Sequence, residues 1–170
     1  MISASRFIAS KQLDAESWLE ARRWGVTATA AAKAMTPSGY KEIVTNWGNE
    51  TPITVNAYMQ FGLDSEGWLA LWAKEHLEGE LMPNEWLIRH ETNPIAYATP
   101  DGIGLDHNVI LEIKTTGKDW GTVEKVPVQY YRQIQWQLYV TDAVECALVW
   151  LLREQVDTPD GPIMVPGWLE

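Results

Sequence analysis

Cysteine is almost missing from this chain: 170 residues contain one, Cys146. A single thiol excludes an internal disulfide, a cysteine-based zinc site and a cysteine-ligated iron–sulfur cluster. Positive charge is also scarce, with 13 Lys+Arg against 23 Asp+Glu and a formal net charge of −10. At face value that balance argues against a polyanionic partner and for a solvated acidic surface. No apolar run approaches the roughly 18 residues a membrane span needs, and the N-terminus lacks the apolar core of a signal peptide. A soluble cytoplasmic protein with no membrane partner is expected. There is no Gly-x-x-x-x-Gly-Lys loop, so ATP-driven chemistry within the chain is not expected. Repeats, low-complexity tracts and linkers are missing too. What remains is apolar: the AVILMFWYC set makes up 46% of the chain, including ten tryptophans. That suffices for one domain with a core and not for two, so a single domain over residues 1–170 is expected.

The charge is unevenly placed. Met1–Lys41 holds six basic and three acidic residues, Glu42–Glu112 two and twelve, Ile113–Arg132 four and two, and Gln133–Glu170 one and six. Two mildly positive stretches flank a strongly acidic one, so the whole-chain figure averages over opposite local fields.

Periodicity predicts helices over the first half. Asp14 caps one running to Arg22, and the Ala-rich run Ala28–Met35 forms another that Pro37-Ser38-Gly39 stops. Further helices are expected at Val55–Phe61 and, with Asp64 as N-cap, Asp64–Leu77. The period then changes. Ile95–Thr99 and Val109–Thr116 read as a hairpin, joined by the Pro100-Asp101-Gly102 turn and a polar connection around His107. A helix over Gln129–Val140, a buried strand over Val144–Leu152 and a short terminal strand over Ile163–Val165 follow. The expected fold class is α/β, a mixed sheet flanked by helices. It comprises a helical part (1–80), a sheet and helix that carry the chemistry (86–155) and a terminal turn and strand (156–170).

Within Leu111-Glu112-Ile113-Lys114, residues two apart on a strand share a face, so Glu112 and Lys114 project together while Leu111 and Ile113 face the other way. Asp101, eleven residues earlier at the turn, is positioned by a hairpin to converge with Glu112. Two carboxylates sharing a site repel unless a cation neutralises them, and oxygen ligands of this kind suit Mg²⁺ or Mn²⁺. A neighbouring lysine then contacts phosphate or orients an attacking water.

Pro100-Asp101-Gly102 followed by Leu111-Glu112-Ile113-Lys114 resembles the core of PD-(D/E)XK nucleases, and more specifically the YqaJ-like viral recombinases related to lambda exonuclease. Three further motifs agree in order: Trp18–Ala32, with its arginine pair and glycine before an Ala-rich helix; Gly62-Leu63-Asp64-Ser65-Glu66; and Gln135-x-x-x-Tyr139. The resemblance implies a restriction-endonuclease-like fold and a phage alkaline exonuclease that resects duplex DNA from a 5′ end, leaving a 3′ single strand for recombination. It implies one or two Mg²⁺ (or Mn²⁺) held by Glu66, Asp101, Glu112 and the Ile113 carbonyl, and no iron–sulfur cluster. Lys114 and Gln135 would act beside them, with Tyr139 in support. Arg23, Thr29 and Lys114 would hold the 5′-phosphate. Double-stranded DNA ends, a phage single-strand annealing protein and a ring-shaped homo-oligomer are the implied partners, in the cytoplasm of an infected or lysogenic bacterial host. A structure-selective endonuclease of the same fold and a non-catalytic DNA-end-binding protein remain the competing readings.

Trp68, Trp72, Trp136 and Trp150 are expected in the core, while Trp24 and Trp120 are placed to stack on a base or wedge a duplex end. His76, His90 and His107 lack metal-ligand spacing, and Cys146 sits in an apolar strand as packing.

Overall fold

The computed structural model describes residues 1–49, 55–78, 80–159 and 161–167. Helix starts follow their caps. Asp14 Oδ1 accepts from the Ser17 amide at 3.0 Å and opens α1 (Ala15–Arg23). Thr27 Oγ1 does the same for α2 (Ala28–Ala34) through the Ala30 amide. Pro37-Ser38-Gly39 was expected only to stop a helix; it also opens α3 (Pro37–Asn46), because proline fits the first helical position and Thr36 Oγ1 accepts from the Gly39 amide at 3.1 Å.

The two helices expected between Val55 and Leu77 are one, α4 (Ala57–His76), capped by Asn56 through the Met59 amide at 2.9 Å. Asp64 is therefore not an N-cap; it lies mid-helix and accepts from Gln60 Nε2 at 2.7 Å. An interior glycine costs a helix about 1 kcal/mol. Here Leu69, Ala70 and Ala73 bury the same helix against the core and override that penalty at Gly62.

The main sheet is mixed. Its strands are β2 (Leu81–Pro83), β5 (Gly102–Gly104), β6 (Val109–Thr116), β7 (Glu145–Thr158) and β8 (Gly161–Pro166), in the order β2-β5-β6-β7-β8. Only β6 and β7 run parallel, over the eight pairs from Val109↔Glu145 to Thr116↔Leu152, and α5 (Val128–Thr141) makes the crossover between them. A second antiparallel sheet joins β1 (Phe7–Ser10), β3 (Trp86–Arg89) and β4 (Tyr97–Ala98).

The expected hairpin changes partner. Ile95–Thr99 supplies only β4, which pairs with β3. The strand opposite β6 is Gly102–Gly104, with Gly102↔Leu111 and Ile103↔Ile110. Glycine permits this: a Cβ at Gly102 would lie 3.0 Å from both Leu111 Cβ and the Met82 carbonyl oxygen. The connection turns at Asp106, whose Oδ1 accepts from the Asn108 amide, with His107 in left-handed conformation (φ 62°). His107 Nδ1 accepts from the Ile2 amide at 2.7 Å and so ties this connection to the N-terminal segment.

One core gathers Leu69, Ala73, Leu81, Leu111, Ile113 and Leu151; another gathers Ile88, Ala96, Ala98, Ile103 and Val140. Tryptophan placement departs from expectation. Trp68 and Trp72 are each 42% exposed, and Trp72 stacks on His76, whereas Trp120 is 6% exposed and packs between Tyr130 and Trp150. Among the described residues no helix is long and apolar enough to cross a membrane.

Candidate active site

A cleft of about 1230 Å³ opens where α4, the β5–β6 edge, α5 and the α1–α2 turn meet. Strand pairing builds its centre. The Asp101 amide donates to the Leu111 carbonyl at 2.9 Å, and the Ile113 amide returns a hydrogen bond to Asp101 Oδ2 at 2.6 Å. Asp101 is thus fastened to the strand bearing Glu112 and Lys114, as the turn-to-strand spacing predicts, although through Gly102 and not through Ile95–Thr99.

Glu112 is only 4% exposed. Its Oε1 bonds the Lys114 ammonium from the same strand face, and its Oε2 accepts from Gln137 Nε2 at 2.8 Å. The Lys114 ammonium also faces the Tyr130 ring, 5.4 Å from its centroid. Burial pushes the Asp101 carboxyl well above the usual carboxylate range, and the Glu112 charge and a hydrogen bond from the Asp101 carboxyl to Glu66 push the same way. Burial alone would lower the Lys114 ammonium, but Glu112 and Asp101 hold it above its ordinary value.

The donor chemistry decides whether a divalent cation suits this wall. Glu66, Asp101 and Glu112 all line the cleft, an oxygen-only set with surplus negative charge. The Lys114 ammonium offsets part of that charge at Glu112, and a hard dication among the carboxylates would offset the rest. As arranged, no group of three or more His, Cys, Asp or Glu among the described residues is gathered to hold a metal ion. In donor kind, the oxygen-only set suits Mg²⁺ or Mn²⁺.

At the other end, Thr27, Ala28, Thr29 and Arg22 line the wall. The Arg22 guanidinium lies 4.2 Å over the Trp18 ring, and burial lowers it from its ordinary value. Trp18 Nε1 and Thr99 Oγ1, both on cleft residues, are buried without a hydrogen-bond partner among the described residues. Because α2 spans only seven residues, side chains and not an end dipole dominate here.

The cleft brings together Glu66, Asp101, Glu112, Ile113, Lys114 and Thr29. It does not include Gln135, Tyr139, Arg23 or Trp24. Gln135 is exposed on α5, while Gln133 and Gln137 face the cleft. Tyr139 is 45% exposed, stacks on His90 at 4.2 Å and accepts from Asn93. Arg23 pairs with Glu20 at 2.9 Å, and Trp24, 53% exposed, donates to the same carboxylate. Trp120, expected to meet DNA, is buried behind Tyr130.

Signals for the residues passed over were present. Trp18 and Arg22 are four apart, the spacing that stacks two side chains on a helix, whereas Arg23 lies about 100° round α1. Gln133 and Gln137 are also four apart, and Gln135, two residues from each, points elsewhere.

The family model for the YqaJ-like viral recombinase domain matches residues 17–144. Among solved structures, LHK-Exo in complex with dAMP is 26% identical, with a TM-score of 0.64, covering 89% of this chain and 80% of that one. The crystal structure of an alkaline exonuclease (LHK-Exo) from Laribacter hongkongensis gives 24% identity, a TM-score of 0.66 and the same coverage. No curated protein matches significantly.

Proposed function

The chain belongs to the YqaJ-like viral recombinase domain family and is a nuclease of the lambda-exonuclease type, and from this we propose that it is a divalent-metal-dependent exonuclease that resects duplex DNA from a 5′ end. The observation that carries the reading is the convergence of Glu66, Asp101, Glu112 and Lys114 on one cleft wall.

Glu66, Asp101, Glu112 and the Ile113 carbonyl would hold one or two Mg²⁺ or Mn²⁺, which supply Lewis acidity to the scissile phosphate and its attacking water. The remaining work falls to this chain. Lys114, kept charged by Glu112, donates to a phosphate oxygen or to the water and neutralises developing charge. Gln137 fixes the Glu112 carboxylate from behind. The Arg22 guanidinium and the Thr29 hydroxyl supply donors to the cleft, where the terminal 5′-phosphate would fit. Arg22 replaces Arg23 in that role, because Arg22 lines the cleft. The product would be a 3′ single strand, the substrate of an annealing protein. The ring-shaped assembly that the family resemblance implies would keep the enzyme on its strand.

The test is digestion of linear duplex against covalently closed circular duplex, with 5′ or 3′ label, in Mg²⁺ and in EDTA. Mg²⁺-dependent release from linear DNA, 5′ label first, with the circle intact, is the expected result. Efficient cutting of the circle would replace this reading with the endonuclease one, and binding without cleavage in Mg²⁺ with the end-binding one.

A further inference from the structure

A second cavity, about 340 Å³, runs along the seam between α2 and α5. It meets the main cleft at Thr29 and Gln133, which line both. Each helix contributes a polar stripe at helical spacing. From α2 and its C-terminus come Thr29, Lys33 and Thr36; from α5 come Gln129, Arg132 and Gln133.

Two properties set this seam apart from the main cleft. No carboxylate lines it, although the protein carries a net charge of −10 and the main cleft holds several. Its two cations are also differently engaged. Lys33 Nζ lies 2.7 Å from Glu42 Oε1, an exposed pair of little energetic weight. Arg132 is half-buried, and no hydrogen bond or ion pair reaches it from any described residue. A half-buried guanidinium beside amides and hydroxyls, with no acid to meet it, is matched to a phosphate diester.

We propose that the α2–α5 seam is a second phosphate-binding subsite, in which Arg132 and Lys33 hold the phosphodiester backbone of DNA beyond the catalytic cleft. The proposal rests on the nuclease reading and extends it. It explains how so acidic a chain takes a polyanion, since the contact runs along a narrow branch that no carboxylate lines. The bound phosphate belongs either to the strand being cut or to its complement.

The test is duplex binding by fluorescence anisotropy in EDTA, across a salt series, with wild-type, Arg132→Gln and Arg132→Lys proteins. Arg132→Gln is expected to weaken binding about tenfold, the value of one charge-assisted hydrogen bond, and to lower the salt slope by about 1. Arg132→Lys, which keeps the charge, should retain the slope. Single methylphosphonates walked along each strand then locate the contact: at the phosphate concerned, Arg132→Gln costs nothing further, and the strand bearing it names the source. Thermal melts show whether each variant is folded. Wild-type affinity and slope in folded Arg132→Gln, or full additivity at every methylphosphonate, overturns the subsite alone when wild-type protein still cuts linear duplex in Mg²⁺. Wild-type protein that neither binds nor cuts overturns the nuclease reading as well.

Discussion

Replacing Gln137 with alanine asks whether the site depends on how Glu112 is held. Gln137 is 4% exposed and donates to Glu112 Oε2 at 2.8 Å. A hydrogen bond to a charged acceptor contributes about 1.5–3 kcal/mol, and at about 1.4 kcal/mol per tenfold that is a factor of roughly 10–100. Loss of an outer partner behind metal-holding carboxylates elsewhere costs a similar factor, about 10–100-fold. Stability should fall less than activity, because Gln137 Oε1 is already buried without a partner and the truncation removes it too. The assay is the initial rate of nucleotide release from linear duplex across a Mg²⁺ titration, with thermal melts alongside. Gln137→Ala should show a rate lower by about 10–100-fold, a raised Mg²⁺ midpoint and a modest loss of Tm. Gln135→Ala, altered on the exposed side of α5, should match wild type in all three. Wild-type rate and Mg²⁺ midpoint in Gln137→Ala, or lost activity in a fully stable Gln135→Ala, would sink the placement.

Arg22→Ala should slow digestion of 5′-phosphorylated ends relative to unphosphorylated ones, while Arg23→Ala should leave that ratio alone; equal ratios for wild type and Arg22→Ala count against the anion pocket. The raised Asp101 carboxyl has a signed consequence for the metal-free protein. Folded chains keep a proton that unfolded chains release near 3.8, so this stabilisation is full below that value and declines as pH rises toward the folded value. Asp101→Asn should flatten that decline in Tm with pH, and an unchanged slope would contradict it. Burial pushes the Cys146 thiol up to about 12, so at pH 8 roughly one thiol in ten thousand is ionised. Native protein should resist alkylation that unfolded protein undergoes at once; rapid native labelling would show the thiol to be accessible.

The strand face of Glu112 and Lys114 was legible because a period of two needs no partner to be known. Asp101 was legible as a neighbour of Glu112, yet its route was not. A three-residue strand containing two glycines, Gly102 and Gly104, carries little strand propensity, and only the tight fit of Gly102 against Leu111 and Met82 makes it one. Short strands such as β1 and β3 hide for the same reason, being recognisable mainly through their pairing. The break expected at Gly62–Asp64 failed because buried Leu69, Ala70 and Ala73 favour one long helix over two. Shifts of one or two residues matter most on helices, where each residue turns the side chain by about 100°: Arg22, Gln133 and Gln137 line the cleft, while Arg23 and Gln135 do not.

The pairing of β6 has one more consequence, in the order in which parts of the molecule come apart. Glu112 and Lys114 ride on a strand held by β7 over eight residue pairs and by β5 on its other edge. Arg22 rides on α1, whose residues are at most partly buried. Local opening follows such differences, with weakly anchored helices exchanging amides long before a central strand does. Under mild denaturant or heat, the acidic centre should outlast the end proposed to grip phosphate. A partly loosened molecule would then lose its choice of DNA end before its capacity for chemistry.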